Sequence, residues 1–501
     1  MILSDILSFL EIPATFFPDK TALIFRKRKT TYREFLTSSK KMAVFFSSNC
    51  KRGESVAIFM ENSPEWLISY FGIIAAGMTC LPLSLRSSDE NLISQLSFSG
   101  AKFVVTSKKF IPRWNGLTNQ FKKLLPIVDF NEIHMPITKD LKLKIQTPKF
   151  PLVLFTSGTT SLQKAVRLSQ KTVLAATRNI VDYLKPDYDD IYYAQLPFYH
   201  SFGLGNIHIT LATGGTVIIS DAGTDLKKVL QDIVKYRATF WAATPYTLEI
   251  ATRHFIKDLI RAGECLRKIC TNTGPMSPAI TKIIIEKLPK VQFFTYYGLT
   301  EASRSSFLHY NLYPDKVGSV GRPAPNVSIK VASSPNRPLL SGQVGEIHIK
   351  GPHLVDEYWK NPLLTRERFR DGWFRTGDIG YFDEDGFLYI AGRKDDMVDI
   401  GGEKFPLCEI DEVFLSCKGV RDAASFLVSN PRMGFIVGCI APVSGLTSAE
   451  AKDVLKKEVL EICKKKLNRY QLPAKIIFLD SIPRTDNGKV RRNFLKETYG
   501  R

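Results

Sequence analysis

A chain of 501 residues is too long for a single hydrophobic core and calls for two or three domains. With 44% hydrophobic and 24% charged residues it has the balance of a folded globular protein, which excludes a disordered chain. The net charge of +20 admits nucleic acid, anionic lipid or a polyphosphate ligand as partner, but no zinc finger, RNP pair or aromatic-interleaved basic strand supports nucleic acid.

The opening "MILSDILSFLEIPATFF" reads as an amphipathic helix of the fold, because Asp5 and Glu11 stand where a secretory signal needs a basic start and an apolar core. "WLISYFGIIAAGMTCLPLSL" (66–85) approaches membrane-spanning length, yet Gly72, Gly77 and Pro82 predict a buried helix that breaks near Gly77 into a short strand. No transmembrane segment is expected, and the charge leaves room for peripheral membrane contact. Eight scattered cysteines, with no C-x-x-C pair and no His/Cys cluster, indicate neither zinc nor a disulfide framework and fit a reducing cytoplasm.

As far as about residue 310, β-rich runs such as "VAIFM", "KFVVTS", "PLVLF", "TVIIS", "ATFWAAT" and "QFFTYYG" alternate with helical patterns, which predicts an α/β fold with largely parallel sheets covered by helices. Between about 311 and 390 short strands and glycine turns predict a small β-rich subdomain. After "GRKDD" a compact α+β tail follows, with a boundary at 393–395. Basic residues are dense in that tail: 451–501 holds fourteen Lys/Arg against six acids.

Four stretches carry chemistry. "FTSGTTSLQKAV" (155–166) follows an apolar strand with Thr156, Ser157, Gly158, Thr159, Thr160 and Lys164; hydroxyls and backbone N–H groups there suit a phosphate chain, although the segment is not a Walker loop. "FTYYGLTEAS" offers Tyr297 as a flat face for a purine, Gly298 in the turn, Thr300 as a phosphate-binding hydroxyl and Glu301 as a Mg²⁺ carboxylate. "GWFRTGDIGYF" and "IAGRKDD" provide Asp378, in a tight turn after Gly377, for ribose hydroxyls, and Arg393 for ribose or phosphate. "SIPRTDNGKVRR" places Lys489 after a glycine turn, suited to meeting negative charge as it develops. Each stretch alone also fits an ordinary solvated loop or turn.

Together, in this order and at these separations, they resemble the adenylate-forming superfamily of acyl-CoA synthetases, adenylation domains and beetle luciferase. "GEIHIKGPHLVDEYWKNP" and "DIGGEKFPLCEIDEV" are similar to two further segments of that family, so the resemblance spans nearly the whole chain. It implies a large N-terminal region, 1–392, and a mobile C-terminal domain, 396–501, that swings about Asp395. It implies activation of a carboxylic acid by Mg·ATP to acyl-AMP, followed by transfer to a thiol. Thr156 to Thr160 and Lys164 then belong to the pyrophosphate loop, Tyr297 stacks on adenine, Thr300 touches phosphate and Glu301 holds Mg²⁺. Asp378 and Arg393 bind ribose, and Lys489 bridges carboxylate and α-phosphate.

Ser161, Gln163 and Ala165 replace the family's usual glycine, proline and glycine, and Thr295 stands where an adenine-reading Asn or Gln is common. His200 in "LPFYHSFGLG" marks the acyl pocket, with Gly274 of "NTGPMS" lining the same channel. No acid stands between Tyr192 and Thr213 to pair with a substrate ammonium, which disfavours an α-amino acid. Coenzyme A is the preferred thiol, the phosphopantetheine of an acyl carrier protein the alternative, and an inactive basic binding protein the reading from another class.

Overall fold

The structure is a computed structural model that describes residues 3–118, 127–132, 147–156, 164–223, 225–274, 276–334, 337–400, 403–428, 434–443, 445, 448–484 and 490–500. Its contacts fall into two units. The first comprises 1–156, 162–328 and 349–374, and the second 157–161, 329–348 and 375–501. The stretch 311–390 is therefore shared between them.

In the first unit the opening helix is Ser8–Phe16, burying Phe9 and Leu10. The apolar stretch after Ser63 forms the helix Pro64–Ala75, with the Ser63 hydroxyl accepting from Trp66 N and proline in the first turn. The helix stops where Gly77 takes a left-handed φ of 80°, and the strand Thr79–Pro82 follows, as the sequence predicts. Gly72 on this helix permits close approach to the helix Tyr32–Asn49, since a Cβ there would lie 2.7 Å from Met42. Among the described residues no helix is long and apolar enough to cross a membrane. All eight cysteines are free thiols.

Two sheets organise this unit. One runs 357–358, 164–168, 152–156, 79–82, 55–59, 103–106, 127–129, parallel from 152–156 onward and antiparallel at the other edge. The second sets six parallel strands side by side, 292–297, 268–271, 240–243, 191–194, 216–219 and 21–25, with antiparallel 306–309 and 319–323 beyond one edge and 28–31 beyond the other. The fully buried Trp241, Tyr192 and Tyr193 lie in its central strands. Parallel strands buried on both faces read as continuous apolar runs, which is why the sequence disclosed them.

The strands passing through the second unit run 337–338, 328–334, 345–350, 373–382, 388–393. A ribbon of Met397–Ile400 with Glu403–Pro406 follows. The tail is a three-stranded sheet, 420–428, 435–442 and 473–478, with the helices Leu407–Leu415, Ala449–Lys466 and Arg492–Tyr499. Phe414, Ile440 and Val459 are fully buried in one of its apolar clusters.

Candidate active site

The hydroxyl-rich segment is the tip of a hairpin. Strand Leu152–Thr156 returns as Lys164–Leu168, setting Thr156 opposite Lys164 and Phe155 opposite Ala165. Ser157, Gly158, Thr159 and Thr160, with Ser161 and Gln163, lie outside the described residues. Ala165 is buried in a regular ladder position, where a methyl group is accommodated and glycine is not required.

The strand of Lys164 is tied to Glu301 through Glu357–Tyr358. Glu357–Tyr358 pairs antiparallel with it, Tyr358 opposite Val166, and Trp359 N donates to Ala165 O at 2.8 Å. The Tyr358 hydroxyl then donates to Glu301 Oε1 at 2.9 Å, and Val355 N to Glu301 O at 3.0 Å. The lysine-bearing strand and the carboxylate thus share one substructure. In the sequence Tyr358 is signalled by the segment "GEIHIKGPHLVDEYWKNP" and by the aromatic pair it forms with Trp359, neither of which points to Glu301.

Glu301 stands in a closed turn after strand Gln292–Tyr297. Leu299 and Ala302 exchange backbone bonds of 3.2 Å, and Ser305 N donates to Tyr297 O at 2.9 Å. A Cβ at Gly298 would meet Arg304 N at 2.5 Å, so this close approach requires glycine. Ser305 Oγ donates to Ala302 O, and its lone pair takes the Nε2–H of His353 at 2.9 Å. Burial holds His353 down to about 4, hence neutral. Thr300 is half-buried in this turn, and Tyr297 closes the strand with 9% of its surface exposed.

Glu301 is 8% exposed and has no cationic side chain within ion-pair distance among the described residues, while only Oε1 is taken by Tyr358. A buried carboxylate in that condition is of a kind that would suit a divalent cation such as Mg²⁺. No group of three His, Cys, Asp or Glu side chains that could form an all-protein metal cage occurs among the described residues. Thr295 is buried within the sheet, and its hydroxyl donates to Thr271 O of the neighbouring strand at 3.3 Å.

His200 caps the helix Ser201–Ala212 with its backbone, is half-buried and packs on Tyr199 with ring centres 4.6 Å apart. Gly274 is exposed, with nothing within 4 Å of where a Cβ would stand.

In the second unit Asp378 is opposite Arg393 across antiparallel strands, with Arg393 Nε 3.5 Å from Asp378 Oδ1. The expected tight turn is not there: Asp378 is inside the strand Trp373–Phe382, where Gly377 at φ 75° and a register shift between Ile379 and Gly380 kink an otherwise extended chain. Asp378 N donates to Thr376 Oγ1 at 2.9 Å, fixing that kink.

Asp395 is the centre of a three-residue 3₁₀ turn, Lys394–Asp396. Lys394 Nζ lies 3.4 Å from Glu346 Oε2, and Arg492 Nε 3.6 Å from Asp396 Oδ2, so ion pairs flank this turn on both sides. Lys489 lies outside the described residues. The ends of its loop are pinned by the Arg484–Val490 bridge, by Arg484 on Asp422 at 2.6 Å and by Arg492 on Asp411 at 2.5 Å.

The chain matches the AMP-binding enzymes over residues 10–359 and the AMP-binding enzyme C-terminal domain over 409–489. It is 29% identical to an oxalate–CoA ligase of Arabidopsis thaliana, over 99% of either chain. With the long-chain-fatty-acid–CoA ligase FadD13 of Mycobacterium tuberculosis it shares 28% identity over 94% of this chain and 93% of the relative. Solved structures of o-succinylbenzoate CoA synthetase from Bacillus subtilis superpose at 25% identity. Its complex with the acyl-adenylate intermediate gives a TM-score of 0.87 over 98% of both chains, and its complex with ATP and magnesium 0.86 over 98% of this chain and 99% of that one. Since the matched segments fill most of the sequence and the first of them holds both Glu301 and the strand of Lys164, the chain belongs to the family of AMP-binding enzymes.

Proposed function

We infer that the acceptor thiol is coenzyme A and that the residues above divide the labour of one two-step reaction. The chain activates a carboxylic acid with ATP and passes the acyl group to a thiol. A carboxylate oxygen bonds to the α-phosphorus as the bridge to the β-phosphate breaks, releasing pyrophosphate. The thiol sulfur then bonds to the acyl carbon as its proton passes to solvent, and AMP leaves with the electron pair. The acid is already ionised at neutral pH, so the first step needs positioning and charge neutralisation rather than a general base.

The observation that carries this reading is the Tyr358 link between Glu301 and the strand of Lys164. Through it the loop of Thr156, Ser157, Gly158, Thr159 and Thr160, with Lys164, is assigned to the departing pyrophosphate, and Glu301 to Mg²⁺ with Thr300 on phosphate. Bound there, the cation would offset the negative charge of the phosphates. Tyr297 and Gly298 are assigned to adenine, Asp378 and Arg393 to ribose, His200 and Gly274 to the acyl side, and Lys489 to carboxylate and α-phosphate. The division at 393–395, with Asp395 as the hinge between 1–392 and 396–501, belongs to the same reading. Coenzyme A is favoured because the relatives' names specify it and because the polyanionic cofactor suits the basic 451–501 tail. The reducing cytoplasm remains the proposed setting.

The relatives' acids range from oxalate to long-chain fatty acids, so likeness alone leaves this chain's acid open. Acid-dependent ATP–pyrophosphate exchange across a carboxylic-acid panel tests the proposal. Exchange with at least one acid, followed by thioester formation with coenzyme A, is expected. Transfer only to a phosphopantetheinyl carrier protein would overturn the acceptor, and no exchange with any acid would overturn the enzyme in favour of a binding protein.

A further inference from the structure

Arg304 carries a buried guanidinium. It is 4% exposed, and among the described residues no carboxylate lies within ion-pair distance. Nη1 donates to Ser303 Oγ at 2.7 Å, Nη2 reaches Ser201 O only at 3.5 Å, and Nε has no hydrogen-bond partner. The guanidinium lies over the Tyr296 ring, 5.7 Å from its centre. Its backbone adds a second cost, because Arg304 holds φ at 67°, a left-handed conformation in which a long side chain is uncommon. An arginine does not shed its charge to escape burial, so the position is expensive unless something anionic arrives.

Its surroundings do not supply that anion. Tyr192, Tyr296 and Cys270 are pushed up by burial, Cys270 to about 12, and stay neutral. Burial and the charge of Arg304 hold His208 down to about 3, so it is neutral too. Three further buried polar atoms here lack a hydrogen bond of acceptable geometry among the described residues: Tyr192 Oη, Tyr296 Oη and Asn206 Oδ1. Buried polar atoms are nearly always satisfied, so a group of them beside an unpaired cation marks a place for a polar ligand.

The location relates this group to the acyl side. Arg304 Nη2 occupies the space of the side chain absent at Gly205, where a Cβ would be only 1.6 Å away. Gly205 is five residues along the same helix from His200, roughly 7 Å along the axis at the usual rise. An acid whose reacting carboxylate lies near His200 would therefore extend a second group toward Arg304.

We propose that Arg304, with Tyr192, Tyr296 and Asn206, forms a pocket for a second carboxylate, so that the enzyme's acid is a dicarboxylic acid activated at one end. Arg304 is a specificity residue in this scheme and takes no part in the transfer at phosphorus. The inference rests on the acid-activating function proposed above.

The experiment measures ATP–pyrophosphate exchange with dicarboxylic acids from oxalate to adipate, each beside its monomethyl ester, which keeps the shape and removes one charge. At least one diacid is expected to exceed its ester in kcat/KM by about 100-fold, the scale of a buried charge pair. Arg304→Met should reduce that ratio to below about 10, chiefly by raising KM for the diacid, while Arg304→Lys retains part of it. Should Arg304→Met fail to fold, Tyr296→Phe serves instead: it removes an unsatisfied hydroxyl, leaves the fold unharmed and should still raise KM for the diacid. Esters or simple monoacids used as well as diacids would overturn the dicarboxylate pocket while leaving the ligase reading intact. Loss of exchange with every acid tested would strike the ligase reading itself, and the pocket with it.

Discussion

Glu301 and Asp378 are almost equally buried, at 8% and 7% exposure, and each is a carboxylate for which a part in nucleotide binding is proposed above. They are held in unlike ways. Glu301 receives a neutral phenol and meets no side-chain cation among the described residues, whereas Asp378 has the Arg393 guanidinium at 3.5 Å. The contrast extends to their settings. The Glu301 turn rests on Ser305 and a neutral His353, while the second unit relies on ion pairs: Glu346 with Arg375 and Lys394, Arg484 with Asp422, and Arg492 with Asp411 and Asp396. On the proposed reading, the carboxylate without a cationic side chain beside it would be the seat for a metal ion. The one already answered by arginine would be an acceptor for neutral hydroxyls, as the proposed ribose contact needs.

Glu301→Gln gives the sharpest test of this distinction, because it preserves size and the bond from Tyr358 while removing the charge. ATP–pyrophosphate exchange should fall about 1,000-fold. Asp378→Asn keeps acceptor capacity and should cost about 10-fold, mostly in KM for ATP. Equal losses in the two variants would erase the proposed difference between the carboxylates.

The next effect separates the half-reactions. Lys489→Ala should lower exchange about 100-fold yet spare thioester formation from a supplied acyl-adenylate, and Asp395→Pro should do the reverse by restricting the backbone at the proposed hinge. A Lys489→Ala enzyme equally slow in both steps would contradict the role assigned to the lysine.

Much of this was legible in the sequence because the contributing signals are local. The helix–glycine–strand order of 64–82 follows from apolar run, proline and Gly77, and the parallel strands announce themselves as short apolar runs. Glu301 and Lys164 stood out as charged residues beside turns. What stayed hidden depends on contacts across the chain. Tyr358 meets Glu301 over a separation of 57 residues, His353 meets Ser305 over 48, and the lack of a carboxylate beside Arg304 among the described residues depends on the fold around it. Asp378 reads from the sequence as a turn residue, since a glycine between polar neighbours looks alike in a turn and in a kinked strand.

Tyr358→Phe probes the neutral anchor directly. It removes one hydrogen bond to a buried carboxylate, worth about 1.5–3 kcal/mol at most, but Mg²⁺ would still bind Glu301. Exchange should fall about 10-fold and recover partly at raised magnesium concentration. An unchanged magnesium requirement would mean that the phenol supports the turn without orienting the carboxylate.

The smallest effects distinguish the two settings by acid. His353 is neutral in the fold, with its pKa held at about 4 by burial against an ordinary 6.5, so the stability it contributes is complete above 6.5 and declines as pH falls toward 4. Glu346 behaves in a lower window. Burial raises its pKa, but hydrogen bonds from His348 and Arg375 and the charges of Arg375 and Lys394 outweigh it and hold the group at about 2 against an ordinary 4.5. Its contribution is complete above 4.5 and is lost as pH falls toward 2. Thermal unfolding followed by circular dichroism should therefore show His353→Gln flattening the decline between 6.5 and 4, by about 5 °C. Glu346→Gln should flatten only the decline below 4.5, by about 2 °C, since the Arg375 and Lys394 side chains that hold it charged are part-exposed and screened by solvent. If Glu346→Gln instead altered the higher window, the ion pairs beside the Lys394–Asp396 turn would not be what holds that carboxylate charged.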